Sequence, residues 1–389
     1  MTKVLIITGD GSGPDLDYAV FRLREEGIAV TIAAPTKKRL LSVFHQLEPG
    51  WDQGLEQTWY PTTPDVTFED VNPADYDGLL LPGGRAPVYL RNFQSCLSLI
   101  RHFIETSKPI ATICRGAILL PSAGAKGRNL TGHPLIRPRI EMGGCNFLER
   151  REEPVIDGNI ISVSGRPFYH IWIRAFLKAL NHAQIPAPHS KKGRILFALA
   201  ESTSSGIHDY AWFRMLEEGH EVTIAAQLRK PTRTVVIAAG GVAGGVDTFE
   251  QRPGLMVDVD VSFDELNPAD YDGLVIPGGP GPEYLRANRR CIEIAKHFVS
   301  EGKPITGICH GPNVILEALH QCGIRGKRIS ANVVLQADVI AAGCEWVHQP
   351  GHAVIDGNIV TAWRRPDYDV WMQAFAQVLR SRGLDGRRG

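Results

Sequence analysis

The chain contains the same series of motifs twice, in the same order. The segment 75–84 (DYDGLLLPGG) recurs as 270–279 (DYDGLVIPGG), and the segment 108–116 (KPIATICRG) recurs as 303–311 (KPITGICHG). A repeat of this length indicates the duplication of a whole domain rather than a solenoid of short units. We predict a first domain at residues 1–182, a polar, proline-rich linker at 183–192 and a second domain at 193–389.

Within each copy, short apolar strands alternate with amphipathic helices. In the first copy, Val4–Thr8 and Val30–Ala34 have the composition of buried strands, and Leu16–Glu26 has that of a helix closed by Gly27. This alternation predicts a parallel sheet covered by helices on both faces. The predicted fold class is therefore α/β, with two tandem flavodoxin-like α/β sandwich domains. Ligand sites in such sheets lie at the carboxyl ends of the strands.

Cys309 follows an apolar strand pattern and precedes a helical one, with Gly307 and Gly311 on either side. Small residues around a nucleophile suit a sharp strand-to-helix turn that exposes its side chain. A helix start favours the thiolate, so we predict a reactive cysteine. Cys114 lies in the matching turn of the first copy, where Arg115 replaces His310. The other cysteines lack this context and are expected to be structural: Cys96, Cys145, Cys291, Cys322 and Cys344.

The composition excludes several classes of function. The 42 basic residues balance the 42 acidic ones, so there is no electrostatic reason to expect nucleic acid or a membrane surface as a partner. The seven cysteines are odd in number and lack the spacing of metal ligands. We therefore expect a reduced cytoplasmic protein with no metal, no cofactor and a small-molecule substrate.

These motifs, with the Asp-Gly-Asn segments at 157–159 and 356–358, resemble the DJ-1/PfpI superfamily, which is related to the class I glutamine amidotransferases. The resemblance covers nearly the whole chain twice, as in tandem two-domain DJ-1-like proteins. It implies a homo-oligomer and, within one chain, a pseudo-dimer of the two copies.

The resemblance also implies roles for particular residues. The family's cysteine nucleophile corresponds to Cys309 and Cys114, and its adjacent histidine to His310. A glutamate of the PfpI type corresponds to Glu283, whereas the first copy has Val88 there. The glycine pairs after the strands would supply backbone N–H groups near the thiol, and Arg115 could hold a thiolate or a substrate carboxylate. These glycines are Gly83, Gly84, Gly278 and Gly279.

One family residue is missing from both copies. A glutamate that normally follows the first strand and hydrogen-bonds the cysteine sulfur is replaced by Gly13 or Pro14 in one copy and by Ser204 in the other. We therefore expect the first site, which also lacks the histidine and the second glutamate, to be the degenerate one. Four nearby acids could substitute for the missing glutamate: Asp10, Asp15, Glu201 and Asp209.

The resemblance leaves the activity open between several classes. The leading hypothesis is a cofactor-independent cysteine enzyme, in the manner of glyoxalase III or the deglycases, in which Cys309 attacks a small electrophilic carbonyl compound. The alternatives are a PfpI-type cysteine peptidase or amidase, a pathway-specific lyase or hydratase, and a non-catalytic stress-response protein whose cysteines sense oxidation. His133, in a Thr-Gly-His-Pro turn, is expected to be a surface histidine rather than part of the Cys114 pocket.

Overall fold

Two seven-stranded sheets, one in each half of the chain, form the framework of the computed structural model. It describes residues 1–47, 54–150, 152–181, 192–239 and 249–384. The chain divides into two compact units, Met1–Ile185 and Pro186–Gly389. The predicted linker, 183–192, lies outside the described residues except for Lys192. Its boundaries stay a prediction.

In the first unit the sheet is parallel apart from one edge strand. Its spatial order is Val155–Asp157, Ile160–Val163, Ile110–Ile113, Gly78–Leu81, Lys3–Ile7, Ala29–Ala34 and Val66–Thr67, of which the first is antiparallel to its neighbour. Every residue of the three strands from Ile160–Val163 to Gly78–Leu81 is buried, because helices cover both faces of the sheet. The helices of this unit are Asp15–Glu25, Ala86–Leu90, Gln94–Glu105, Leu119–Ser122, Arg137–Met142 and Tyr169–Ala179.

The second unit repeats this arrangement. Its sheet runs Val261–Ser262, Glu221–Ala226, Arg194–Ala198, Gly273–Ile276, Ile305–Ile308, Ile359–Ala362 and Val354–Asp356, and the last strand is the antiparallel one. Its helices are Ser205–Glu217, Gly281–Ala287, Arg289–Ser300, Pro312–Gln321, Gln336–Ala341 and Tyr368–Ser381. The predicted fold class, two α/β domains with mostly parallel sheets, is confirmed.

Smaller strand pairs and 3-10 helices complete each unit. The strand pairs are Val43–Leu47 with Gly54–Thr58, Asn129–Leu130 with Asn146–Phe147, Thr232–Ala239 with Phe249–Val257, and Arg328–Ile329 with Glu345–Trp346. The 3-10 helices are Pro73–Asp75, Cys114–Ile118, Pro134–Ile136, Arg166–Phe168, Pro268–Asp270, Val333–Leu335 and Arg365–Asp367. The hairpin formed by Val43–Leu47 and Gly54–Thr58 is important below because it carries His45 and Glu56 as cross-strand partners.

The helices pack on the sheets through large apolar side chains. In the first unit Phe103 and Ile100 of the helix Gln94–Glu105 join one core cluster with Leu79 and Ile110 of the sheet. Trp172 of the helix Tyr169–Ala179 is also fully buried. Within the ranges described, no helix combines the length and the apolar character needed to cross a membrane.

Candidate active sites

Both cysteines occupy strained turns at the carboxyl ends of central strands. Cys114 has φ 56° and Cys309 has φ 61°, in the left-handed region that residues other than glycine rarely adopt. Each turn packs against a glycine of the neighbouring strand end. A Cβ on Gly83 would lie 2.8 Å from the Cβ of Cys114, and one on Gly278 would lie 2.6 Å from the Cβ of Cys309. The structure thus has the elbow geometry that the sequence predicts.

The Cys309 sulfur accepts hydrogen bonds from the backbone N–H groups of Gly279 and His310. The Nδ2 atom of Asn332 lies 3.6 Å from the same sulfur and also donates to it. Burial nevertheless raises the pKa of the Cys309 thiol, and these donors with the Arg364 charge only partly oppose it. The prediction that the elbow favours the thiolate is therefore wrong for the pKa of the free protein, because desolvation outweighs the donors.

Glu283 faces the histidine of its own unit. Its Oε1 lies 2.9 Å from Nδ1 of His310 and 2.5 Å from Nδ2 of Asn313, which donates to it. A hydrogen bond from Nδ1 to the carboxylate would leave Nε2 of His310 as a proton acceptor. Sequence reasoning left open which cysteine Glu283 serves. The structure brings Glu283 to the residue that follows Cys309.

Asp15 supplies an acid to the first site. Its side chain is buried, with 4% of the residue exposed, and its Oδ2 accepts a hydrogen bond from the Gly83 backbone N–H. Gly83 lies between this carboxylate and the cysteine: a Cβ added to it would be 2.8 Å from Cys114 Cβ and 3.5 Å from Asp15 Oδ2. Of the four candidate substitutes for the missing glutamate, Asp15 is therefore the one that lies beside Cys114. The carboxylate reaches Cys114 from the first turn of the helix Asp15–Glu25 rather than from the preceding loop.

The acid and the thiol of the first site perturb each other. Burial raises the pKa of Asp15 to about 6. Burial, and then the charge of Asp15, raise the pKa of Cys114 to about 11, although Arg115 and the backbone N–H groups of Arg115 and Gly84 act in the opposite direction. A buried carboxyl with a pKa close to neutrality, next to a thiol, is the arrangement that acid–base catalysis requires.

The other three substitute acids are engaged elsewhere. Asp10 pairs with Lys38 at 2.6 Å, and Glu201 pairs with Lys230 at 3.1 Å. Asp209 is buried and lies 3.4 Å from Nδ1 of His208. In the second site the position near the glycine turn belongs to Ile207, whose Cδ1 would lie 2.9 Å from a Cβ on Gly278. Cys309 therefore has an apolar neighbour where Cys114 has Asp15.

Two residues beside the cysteine turns were not assigned to the sites from sequence. His133 and Asn332 occupy the same place in the two units, since their backbone N–H groups donate to the carbonyl oxygens of Cys114 (3.2 Å) and Cys309 (3.0 Å). Each side chain also caps the 3-10 helix that follows. His133 is thus a half-buried turn residue whose backbone is attached to the Cys114 turn, and the expectation that its side chain faces solvent stays a prediction. The signal was the equivalence of His133 and Asn332 in the repeat alignment.

The remaining cysteines are unpaired thiols. Cys322 is partly exposed and the other four are buried: Cys96, Cys145, Cys291 and Cys344. Burial raises the pKa of Cys96 and that of Cys291 to about 12, as expected of structural cysteines. In the part of the chain that the structure describes, no group of histidine, cysteine or acidic side chains is arranged to hold a metal ion.

Replacing Asp15 by asparagine should stabilise the protein at neutral pH. The folded-state pKa of about 6 exceeds the ordinary value of 3.8, so ionising Asp15 in the fold costs about 3 kcal/mol above pH 6. Asparagine retains an acceptor for the Gly83 N–H without the charge. The gain should be full above pH 6 and disappear as the pH falls below 3.8. Calorimetric unfolding of both proteins between pH 4 and 8 measures it; a destabilised variant at pH 7.5 would contradict it.

Comparison with known proteins gives the same family for both units. The model of the DJ-1/PfpI family matches residues 2–179 and again 194–377. Protein DJ-1 homolog D of Arabidopsis thaliana is 31% identical, with 97% of each chain covered. A deglycase of Pyrococcus abyssi is 37% identical and one of Pyrococcus furiosus 35%, each over 48% of this chain and 99% of the relative. The chain belongs to the DJ-1/PfpI family and contains two tandem domains of that family.

Proposed function

We propose that the protein is a cofactor-independent cysteine enzyme of the glyoxalase III or deglycase type, acting on a small electrophilic carbonyl compound. The observation that carries this proposal is the buried Asp15 carboxyl beside Cys114, with its pKa of about 6. Conversion of an α-oxoaldehyde into a hydroxy acid needs a nucleophile and a group that moves a proton between adjacent carbons. The first site contains both.

The proposed reaction begins when the Cys114 sulfur adds to the aldehyde carbon and the former carbonyl oxygen takes up a proton. The Asp15 carboxylate then removes the hydrogen of that carbon as a proton, the electron pair shifts toward the neighbouring ketone to form an enediolate, and the hydroxyl proton of the first carbon passes to the new oxyanion. Asp15 returns the proton to the second carbon, which leaves a thioester of a 2-hydroxy acid. Water cleaves the thioester and restores the thiol. Overall, oxoaldehyde and water give the hydroxy acid, with one carbon oxidised and its neighbour reduced.

The relatives support this class of enzyme. The two archaeal proteins that match about half of this chain are named deglycases. A deglycase also acts at a carbon derived from a reactive carbonyl compound, so the same nucleophile and proton shuttle would serve it. We extend the activity to this chain as a proposal, with Cys114 and Asp15 as the reacting groups.

A second candidate function concerns the other site. His310 Nδ1 lies 2.9 Å from Glu283 Oε1, and this contact fixes the orientation of the imidazole. In hydrolases that use a cysteine nucleophile, an acidic or amide side chain orients the general base in the same way. Ile207 deprives this site of the buried acid that proton shuttling needs. We therefore propose that Cys309, His310 and Glu283 cleave an amide or ester bond, if the second site is catalytic in addition to the first.

Single cysteine variants test the assignment of a different reaction to each site. Cys114→Ala should abolish methylglyoxal turnover, because the attacking sulfur is gone, while Cys309→Ala should retain most of it. Lactate release and methylglyoxal consumption, followed at pH 7.5, measure both. Full activity in the double variant would overturn the assignment as a cysteine enzyme. Loss in Cys309→Ala alone would instead move the chemistry to the second site.

A further inference from the structure

The first site contains an arginine beside its cysteine, and no acid in the described part of the chain pairs with it. Arg115 follows Cys114 directly and is partly exposed. Within the ranges that the structure describes, no acidic side chain pairs with its guanidinium and no hydrogen bond engages it. An unpaired guanidinium beside a nucleophile is a binding group for carboxylate or phosphate oxygens.

Two histidines lie around this arginine. His133 is fixed by the hydrogen bond from its backbone N–H to the Cys114 carbonyl oxygen, at 3.2 Å. His45 projects from the hairpin formed by Val43–Leu47 and Gly54–Thr58. Burial, and next the charge of Arg115, lower the pKa of both imidazoles. Nδ1 of His133 accepts from the Leu135 N–H at 3.3 Å, so Nε2 carries the proton of the neutral ring.

The nearby acids are already committed to other partners. Glu56 accepts two hydrogen bonds from Arg85, at 3.0 Å from Nε and 3.1 Å from Nη2. Its Oε2 is also 3.6 Å from Nε2 of His45. Asp10 pairs with Lys38, and Asp15 is bound by the Gly83 N–H. Among the residues that the structure describes, the positive charge of Arg115 therefore remains available to a ligand.

The second site differs at each of these positions. His310 occupies the position equivalent to Arg115, and its Nδ1 contacts the Glu283 carboxylate. Backbone hydrogen bonds align the neighbouring hairpins, since Val43 N–H donates to Ser12 and Val235 N–H donates to Thr203. Two residues further along, the first unit has His45 and the second has Ile237. The set of Arg115, His45 and His133 is thus specific to the first site, whereas the positive charge near Cys309 is that of Arg364.

We propose that the first site takes a small carbonyl substrate that carries an anionic group, a carboxylate or a phosphate, bound by Arg115 with His45 and His133 as flanking N–H donors. The proposal rests on the function proposed above only in taking Cys114 as the reacting group. The anion lies against the guanidinium, and the electrophilic carbon of the same molecule faces the Cys114 sulfur. An uncharged oxoaldehyde would then be a poorer substrate than its acidic analogue.

Two alkylating reagents of similar size test the proposal without any turnover. Iodoacetate is anionic and iodoacetamide is neutral, and both report on the same thiolate, so the ratio of their rate constants at Cys114 isolates the attraction of an anion. Arg115→Gln should lower the ratio of iodoacetate to iodoacetamide about 3- to 10-fold, as expected for the loss of one charge at close range in a partly hydrated pocket. Peptide mass spectrometry reads Cys114 and Cys309 separately in the same sample.

The controls separate this idea from a failure of the proposed enzyme. Arg101→Gln, at an exposed arginine of the helix Gln94–Glu105, should leave the ratio at Cys114 unchanged, and Arg115→Gln should leave the ratio at Cys309 unchanged. An unchanged ratio at Cys114 in Arg115→Gln overturns the anion site, whatever the turnover measurements give. A lowered ratio supports it even if methylglyoxal is not consumed.

The wild-type protein gives a second arm that needs no variant. Acetate and inorganic phosphate, compared with chloride at matched ionic strength, should slow the reaction of Cys114 with iodoacetamide and leave Cys309 unaffected. Stronger protection by phosphate points to a phosphorylated substrate, and stronger protection by acetate points to a carboxylic acid. Protection by neither anion overturns the proposal.

Discussion

Asp15→Asn is expected to lower the turnover of methylglyoxal by about 100-fold or more, the usual contribution of a positioned acid–base group. Asparagine fills the same space and still accepts the Gly83 N–H, but it cannot take a proton from carbon. The structural reason is the position of Asp15, buried beside Cys114 with a pKa raised to about 6. Steady-state kinetics of the purified variant against the wild-type protein measure the loss in kcat.

The same substitution should make Cys114 more reactive toward iodoacetamide. The Asp15 charge contributes to raising the pKa of Cys114, so its removal should shift the thiol titration to lower pH and increase the thiolate fraction at pH 8. Faster alkylation supports this role only in a variant whose calorimetric unfolding shows that it is folded, because unfolding would also expose the buried Cys114 thiol. Asp10→Asn is the matched control, since Asp10 lies in the loop that precedes the helix Asp15–Glu25 and pairs with Lys38. Unchanged turnover, or slower alkylation, would contradict the role of Asp15.

The fold was accessible from sequence because its signals are local and occur twice. Strands such as Ile110–Ile113 are buried along their whole length, so each one is a continuous run of mostly apolar residues in the sequence. The glycines near the cysteines indicated the turns. The strained φ of Cys114 and Cys309 follows from the same pattern. The repeat also identifies from the sequence which residues of the two sites are equivalent, such as Arg115 and His310.

The chemistry of the sites was less accessible. Asp15 was one of four candidate acids, and no sequence pattern distinguishes it from Asp10, which reaches Lys38 instead. The first copy is one residue shorter than the second between the loop and its helix, which places Asp15 where the second copy has Ile207. The thiol pKa was misjudged because the helix start is visible in the motif, whereas the degree of burial is a property of the assembled fold.

The two sites therefore retain complementary sets of groups. The first has a buried acid and an arginine that no acid in the described ranges pairs with, and the second has His310 with Glu283. After a duplication, each copy can lose groups that its own reaction does not use. The first site was expected to be degenerate from its loss of histidine and glutamate. Asp15 supplies a buried acid beside Cys114, so the lack of an acid is no longer a reason to expect a degenerate site. The cysteine variants test whether the first site is active.

A buried ion pair in the second unit carries the largest expected effect on stability. Glu218 follows the helix Ser205–Glu217 directly, and its Oε1 lies 2.6 Å from Nη1 of Arg214 and 2.6 Å from Nη2 of Arg380 in the helix Tyr368–Ser381. The side chains of Arg214 and Glu218 are each 3% exposed. Burial alone would raise the pKa of Glu218, but the two arginines outweigh it and hold the pKa far below the ordinary value of 4.5. The contribution to stability is thus present above pH 4.5 and is lost as the pH falls toward the folded-state pKa.

Glu218→Gln should therefore lower the free energy of unfolding by about 3 kcal/mol or more at pH 7, because it removes the buried carboxylate that contacts the guanidinium groups of Arg214 and Arg380. Urea unfolding followed by circular dichroism measures the difference, and the difference should shrink in acid, where the wild-type protein loses the same interaction. Glu250→Gln is the matched control, since Glu250 pairs with Arg252 at 2.9 Å on the surface and its replacement should change the free energy of unfolding far less. Equal effects of the two substitutions would show that Arg214 is solvated in solution. They would also show that the contact between Glu218 and Arg380 does not stabilise the packing of the two helices.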